Sequence, residues 1–199
     1  MRGLLVDFGG VLTTDVFASF ERFCALEGLP ADAVRQLFRT DPRAYELLVG
    51  LEDGTLPDAE FEERFAALLD VAPDDLIERL LGHAGLDAAM VDAVRAAKRH
   101  GIRTGLVSNS WGVSRYDRGL LAELFDGVVI SAEVGFRKPA TEMYRLGARS
   151  VGLAPEDCVY VDDLPGNLKP AREIGMTTLH HHDTPTTIAA LTELFGVQL

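Results

Sequence analysis

Cysteine is scarce in this chain. Its two copies, Cys24 and Cys158, lie far apart and lack CxxC or metal-ligand spacing, so neither a disulfide framework nor a cysteine-based metal site is expected. Both read as buried thiols, which suits a reducing cytosol. A chain of 199 residues can bury roughly 70% of its unfolded surface without a covalent staple. Long apolar runs are missing too, and none approaches the ~20 residues of a membrane span. No signal peptide is expected, because the first strand pattern begins at once. Positive charge is in short supply: 19 lysines and arginines face 31 aspartates and glutamates, for a formal net charge of −12. Such a field disfavours nucleic acid and anionic membranes. The expectation is a cytoplasmic protein with a small-molecule partner; oligomeric state is not readable from these features. Internal repeats and low-complexity segments are also lacking.

What is present is a set of short apolar runs that end abruptly in polar residues. Five strands are predicted, at 3–7, 103–108, 127–131, 157–162 and 177–181. From residue 84 they alternate with helical patterns at about 87–100, 114–124, 140–151, 167–175 and 185–195. That alternation predicts an α/β fold with a parallel five-stranded sheet flanked by helices. The second strand arrives only at 103, and residues 15–83 look all helical. Phe17, Phe20, Phe23, Cys24 and Leu26 recur at helical spacing, as do Phe61, Phe65, Leu68 and Leu69 behind the start signal Pro57-Asp58. The expected organisation is a core of 1–14 and 84–199 carrying a helical insertion over 15–83.

Two strand ends carry carboxylates. Leu4-Leu5-Val6-Asp7-Phe8-Gly9-Gly10 is one, and Val159-Tyr160-Val161-Asp162-Asp163-Leu164-Pro165-Gly166-Asn167 the other. In open α/β sheets the carboxyl ends of strands are where ligands bind. Two aspartate-bearing rims side by side make an oxygen site suited to Mg²⁺. Asp7 can act as a nucleophile at phosphorus or carbon, although an aspartate that caps a turn is the plainer reading taken alone. Asp162 and Asp163 repel each other at the end of a buried strand unless a cation or hydrogen-bond donors compensate. Asn167 is placed to orient them. Ser108-Asn109 ends the second strand, where a hydroxyl and backbone N–H groups can hold an oxyanion or simply make a turn. Lys138 precedes Pro139, which favours an extended backbone there. It can neutralise a nucleophile and phosphate oxygens, or be a surface lysine. Arg137 reads as a surface or salt-bridge residue.

Asp7, Ser108, Lys138-Pro139 and Asp162-Asp163, in that order at successive strand ends, resemble the haloacid dehalogenase superfamily. The helical insertion resembles that superfamily's C1-type cap. The stretch from Val161 to Arg172 is similar to the N-terminal phosphatase domain of soluble epoxide hydrolases and to sugar-phosphate phosphatases of the same subgroup. The resemblance implies a Rossmann-like fold and a Mg²⁺-dependent phosphatase acting on a small phosphorylated metabolite. Asp7 would be the nucleophile, with the Gly9 carbonyl and Asp163 joining it on Mg²⁺. Asp162 would lie beside Asp163 as a further ligand or as a support for the ligands, and Asn167 would support them. Ser108, Asn109 and Lys138 would hold the transferring phosphoryl group, and Trp111 would line the substrate cavity or pack under the cap.

The pattern departs from the superfamily at Gly9, where most of its phosphatases carry a second aspartate as general acid/base. General acid–base help is worth roughly 10²–10⁴ in rate. A good leaving group, an acid from elsewhere or weak activity would each accommodate the loss. Two other readings remain at this stage: a metal-independent 2-haloacid dehalogenase, whose halide leaves without a proton, and a catalytically weak protein that binds a phosphorylated ligand or a partner. His180-His181-His182 ends the fifth strand, but successive strand residues point to opposite faces and the three cannot converge on one ion.

Overall fold

The computed structural model describes residues 2–199. Five parallel strands, β1 (Gly3–Val6), β2 (Arg103–Ser108), β3 (Gly127–Ile130), β4 (Cys158–Asp162) and β5 (Thr177–His180), form one sheet in the order β3-β2-β1-β4-β5. The strand expectations hold to within a residue at either end. Alternate residues serve opposite faces, as the two-residue period of a strand requires. Leu4, Val6, Leu106, Val159 and Val161 pack beneath α6 (Ala88–Arg99), α7 (Arg118–Leu124) and α11 (Thr184–Phe195). Leu5, Val107, Val129 and Tyr160 pack beneath α9 (Thr141–Ser150) and α10 (Pro165–Glu173). Register aligns the strand ends that carry the polar residues: Val6 pairs with Leu106 on one side and Val161 on the other. Asp7 continues the ladder by donating its N–H to the Val161 carbonyl at 3.0 Å.

The helix expected over 114–124 is a correction. It is a short 3₁₀ turn at Val113–Arg115 followed by α7. Asp117 interrupts the pattern by accepting from the N–H groups of Gly119 and Leu120, which starts a new helix there. A further single-turn helix, α8 (Ser131–Val134), follows β3 and left no periodic signal.

Between β1 and α6 lie five helices: α1 (Val16–Glu27), α2 (Ala33–Thr40), α3 (Pro42–Asp53), α4 (Asp58–Leu69) and α5 (Leu76–Leu81). They build a hydrophobic cluster of their own around Phe20, Phe23, Phe61, Phe65, Leu76 and Leu80. The chain enters and leaves this lobe through a paired neck. Thr13 bridges Leu86 in antiparallel fashion, Thr14 N–H donates to Gly85 at 2.8 Å, and Asp87 N–H donates to Leu12 at 2.9 Å. A second junction joins the C-terminal end of α3 to α8. There the Ser131 hydroxyl donates to the Glu52 carbonyl, and Gly54 lies so close that a Cβ would stand 2.6 Å from the Ala132 carbonyl oxygen. The positive φ of Gly54, 79°, is a second reason for glycine.

Candidate active site

The aligned ends of β1, β2 and β4 bring Asp7, Ser108, Asp162 and Asp163 to one rim, and the segment after α8 brings Lys138 to them. Asp7 Oδ1 accepts from the Phe8 N–H at 2.7 Å and lies 2.7 Å from Lys138 Nζ. Asp7 Oδ2 receives no hydrogen bond from the described residues. One oxygen is therefore pinned and the other is open. The Gly9 carbonyl and the Asn109 N–H likewise have no protein partner among the described residues. Gly10 has φ 71°, and a Cβ there would stand 2.6 Å from Asp163 Oδ2. Only glycine lets the β1 loop come this close to the second carboxylate.

Asp162 is fully buried and saturated by donors. Its Oδ1 accepts from the Leu164 N–H at 2.8 Å and Asn167 Nδ2 at 3.0 Å. Its Oδ2 accepts from Lys138 Nζ at 2.8 Å, from Asn167 Nδ2 at 3.1 Å and from the Tyr160 hydroxyl. Burial works to raise its pKa, but Lys138 and the other donors outweigh burial and hold it below the ordinary carboxylate range. Lys138 is buried as well. Burial would lower its pKa, yet Asp162 and Asp7 overcome that effect and raise it, so the ammonium stays charged. Asp7 is pushed up to about 8, first by burial and then by the neighbouring Asp162 and Asp163, against the pull of Lys138. Burial and Asp162 push Asp163 up to about 6.

Asp7, Asp162 and Asp163 each offer an oxygen within 4.8 Å of the others. Three carboxylates share one lysine, so the fully ionised cluster is short of positive charge. A divalent cation would supply what is missing. Asp7, the Gly9 carbonyl and the Asp163 carboxylate offer hard oxygens that suit Mg²⁺. Asp162 has no lone pair to spare for a metal; it holds Lys138 instead. Asn167 reaches Asp162 as the sequence suggested, from within α10.

On the β2 side, Ser108 Oγ and the Tyr116 hydroxyl are 2.8 Å apart. The Asn109 side chain ties two loops together: Oδ1 accepts from the Lys138 N–H at 2.7 Å, and Nδ2 donates to the Lys138 carbonyl at 3.2 Å. Asn109 Nδ2 also lies 3.3 Å from Glu52 Oε2, a buried carboxylate on α3 that pairs with Arg137. Burial raises the Glu52 pKa while Arg137 opposes it. Arg137 is thus half-buried and structural. Glu52, Tyr116 and Tyr160 are site residues that strand-end reasoning does not find. Tyr160 had a signal, since it lies two residues before Asp162 and so on the same side of β4. Glu52 had a weaker one, a carboxylate beside the buried Leu51 of an otherwise amphipathic helix.

Trp111 does both things expected of it. It lines the cavity and packs against Phe20, Phe38 and Phe61 at centroid distances of 5.5, 6.0 and 6.0 Å. The three histidines do not converge on one point: the His180 and His182 rings touch at a centroid distance of 3.8 Å, with His180 Nε2 2.9 Å from the Asp163 carbonyl oxygen, while His181 Nδ1 lies 2.9 Å from Thr187 Oγ1. Above the rim is a cavity of about 560 Å³ between sheet and lobe. Arg35, Arg39 and Arg115 also line it, with Arg115 paired to Glu78 and Arg35 3.8 Å from Glu21.

The fold agrees with what the chain is similar to. The model of the haloacid dehalogenase-like hydrolases matches residues 1–175, and the chain belongs to that family. Over 131 residues it is 30% identical to bifunctional epoxide hydrolase 2 of Sus scrofa, covering 62% of this chain and 24% of that protein. The chain thus spans about a quarter of the length of the epoxide hydrolases it matches. Over 173 residues it is 29% identical to a sesquiterpene phosphatase of Aspergillus oryzae, covering 74% of this chain and 86% of that protein. A family enzyme from Bacteroides thetaiotaomicron, an aspartate-to-alanine mutant solved with magnesium and inorganic phosphate, superposes with TM-score 0.67 at 20% identity, covering 90% of this chain and 93% of the other. No helix among the described residues is long and apolar enough to cross a membrane.

Proposed function

We propose that this protein is a Mg²⁺-dependent phosphatase that hydrolyses a small phosphomonoester through an aspartyl-phosphate on Asp7. The observation that carries the reading is the asymmetry of Asp7: Oδ1 is fixed by Phe8 N–H and Lys138, and Oδ2 is free to attack. Oδ2 forms a bond to phosphorus as the bond from phosphorus to the substrate's alcohol oxygen breaks. The alcohol oxygen gains a proton from solvent, because residue 9 has no side chain to give one. Water then attacks phosphorus, the acyl phosphate bond breaks, and Asp7 returns as carboxylate with inorganic phosphate released. Lys138, the Ser108 hydroxyl and the Asn109 N–H stabilise the phosphoryl oxygens during both transfers. Mg²⁺, when held by Asp7, the Gly9 carbonyl and Asp163, would supply charge stabilisation to the transferring group. Asp162 and Asn167 keep Lys138 aimed.

The helical lobe over 15–83 is read as a cap that excludes water and selects the substrate, over a core of 1–14 and 84–199. The match to a fungal phosphatase and the magnesium and phosphate in the bacterial relative support this reading. The test is phosphate release from p-nitrophenyl phosphate with Mg²⁺ and with chelator, beside Asp7→Asn. Activity that needs Mg²⁺ and falls by about 10³-fold or more in Asp7→Asn is expected. Equal turnover with chelator, or in Asp7→Asn, removes the proposal.

A further inference from the structure

The cavity has two unlike walls. The core wall is polar and holds the phosphoryl machinery. The lobe wall is apolar, contributed chiefly by Phe17, Phe20, Phe38, Leu48 and Leu81, with Trp111 backing the aromatic group from the core side. Polar lobe side chains that reach the cavity are spoken for or peripheral. Glu52 is committed to Arg137 and Asn109, while Arg35, Arg39 and Tyr45 sit on the exposed rim. Tyr116, on the core side, is committed to Ser108.

A substrate anchored at Asp7 must project its organic part towards this lobe wall. Hydroxyl groups there would leave water and find few partners, at about 1–3 kcal/mol each, which is five- to about 150-fold in affinity. Methylene or ring carbons would be favoured. We infer that the substrate is a phosphomonoester with an apolar, unhydroxylated body, not a sugar or polyol phosphate. The inference rests on the phosphomonoester reading of the same site and narrows it. The rim arginines fit it without defining it, since they attract the phosphate of any such substrate into an otherwise acidic protein.

The test separates selectivity from turnover by using ligands that cannot be hydrolysed. Alkylphosphonates from methyl to decyl are titrated into the full chain in the presence of Mg²⁺. Their common headgroup means that only the carbon chain changes. Affinity is expected to rise about three- to fourfold per methylene, the transfer free energy of one methylene read as an affinity ratio, until the chain fills the cavity. 2,3-Dihydroxypropylphosphonate is expected to bind at least about fivefold more weakly than propylphosphonate. Phe38→Ala should lower the gain per methylene. Because Phe38 also stacks on Phe65 at 4.7 Å, Leu48→Ser serves as a second variant with the same expected readout. A flat series, or tighter binding of the dihydroxy ligand, overturns the inference. If the series rises as expected and p-nitrophenyl phosphate is not turned over, the phosphatase reading fails and the preference of the cavity stands.

Discussion

Gly9 has space that Gly10 lacks. A Cβ at Gly9 would meet only the end of the Val16 side chain, at 3.3 Å, and no positive φ constrains the backbone there. Carboxyls lining the cavity are Asp7, Glu52 and Asp163. In the proposed mechanism the first is the nucleophile and the third joins the metal site, while the second is tied to Arg137. A leaving alkoxide therefore has no evident acid. The rate of aspartyl-phosphate formation should fall steeply as leaving-group pKa rises, and Gly9→Asp should flatten that slope, raising rates on alkyl phosphates by up to about 10²–10⁴. Burst kinetics measure the step directly. A flat slope in the parent would show that water or another group already delivers the proton. The placement of site residues at strand ends was legible in each apolar run that stops at a polar side chain, and their shared role was legible only in the ordered set. Their division of labour was not. That Asp162 is filled by protein donors while Asp163 stays open depends on Tyr160, Leu164 and Asn167 converging in space.

At the scale of elements, the end of α3 is the part that couples lobe to chemistry. Glu52 reaches Asn109, Asn109 brackets Lys138 through both backbone groups, and Lys138 contacts Asp7. Glu52 is thus a positioning residue. Glu52→Ala should lower kcat, by up to about 10²-fold if Lys138 shifts by an ångström, with a smaller change in KM. Glu52→Gln, which keeps an acceptor for Asn109, should recover most of the loss. Equal defects in the two variants, or a change in KM alone, would assign Glu52 to packing. Strands and long helices were legible because each has a period that a single segment displays. The split of 114–124 at Asp117 and the single turn of α8 were not, since a cap bond and a four-residue helix have no period. The docking of α3 on α8 was invisible for another reason: residues 52 and 131 are joined by a hydroxyl donating to a carbonyl, and a backbone acceptor has no sequence signature.

For the whole molecule, the charge crowded at the rim ties stability to pH and metal together. Folded Asp7 and Asp163 hold protons more tightly than free carboxyls, at about 8 and about 6 against 3.8. Without metal, the stability they contribute is full below 3.8 and is lost as pH rises through about 6 and then about 8. Mg²⁺ bound there would have to displace those protons, so its affinity should rise over the same window. A fixed Mg²⁺ concentration a hundredfold above Kd at pH 8 should add about 2.7 kcal/mol there, several degrees of Tm, and add less at pH 6, where the same concentration is a smaller multiple of Kd. Asp163→Ala should abolish the gain. Calorimetric scans showing the same gain at both pH values, or in that variant, would refute the assignment. The paired neck at Thr13 and Leu86 has a different kind of consequence. The inserted helices leave and rejoin the scaffold side by side and carry their own core, so the lobe can be exchanged for another without cutting a hydrogen bond of the sheet. The exchange is not independent of the rim: a graft at the neck can change what the cavity accepts, but it keeps Lys138 in place only if it returns an acceptor to Asn109 where α3 now puts Glu52.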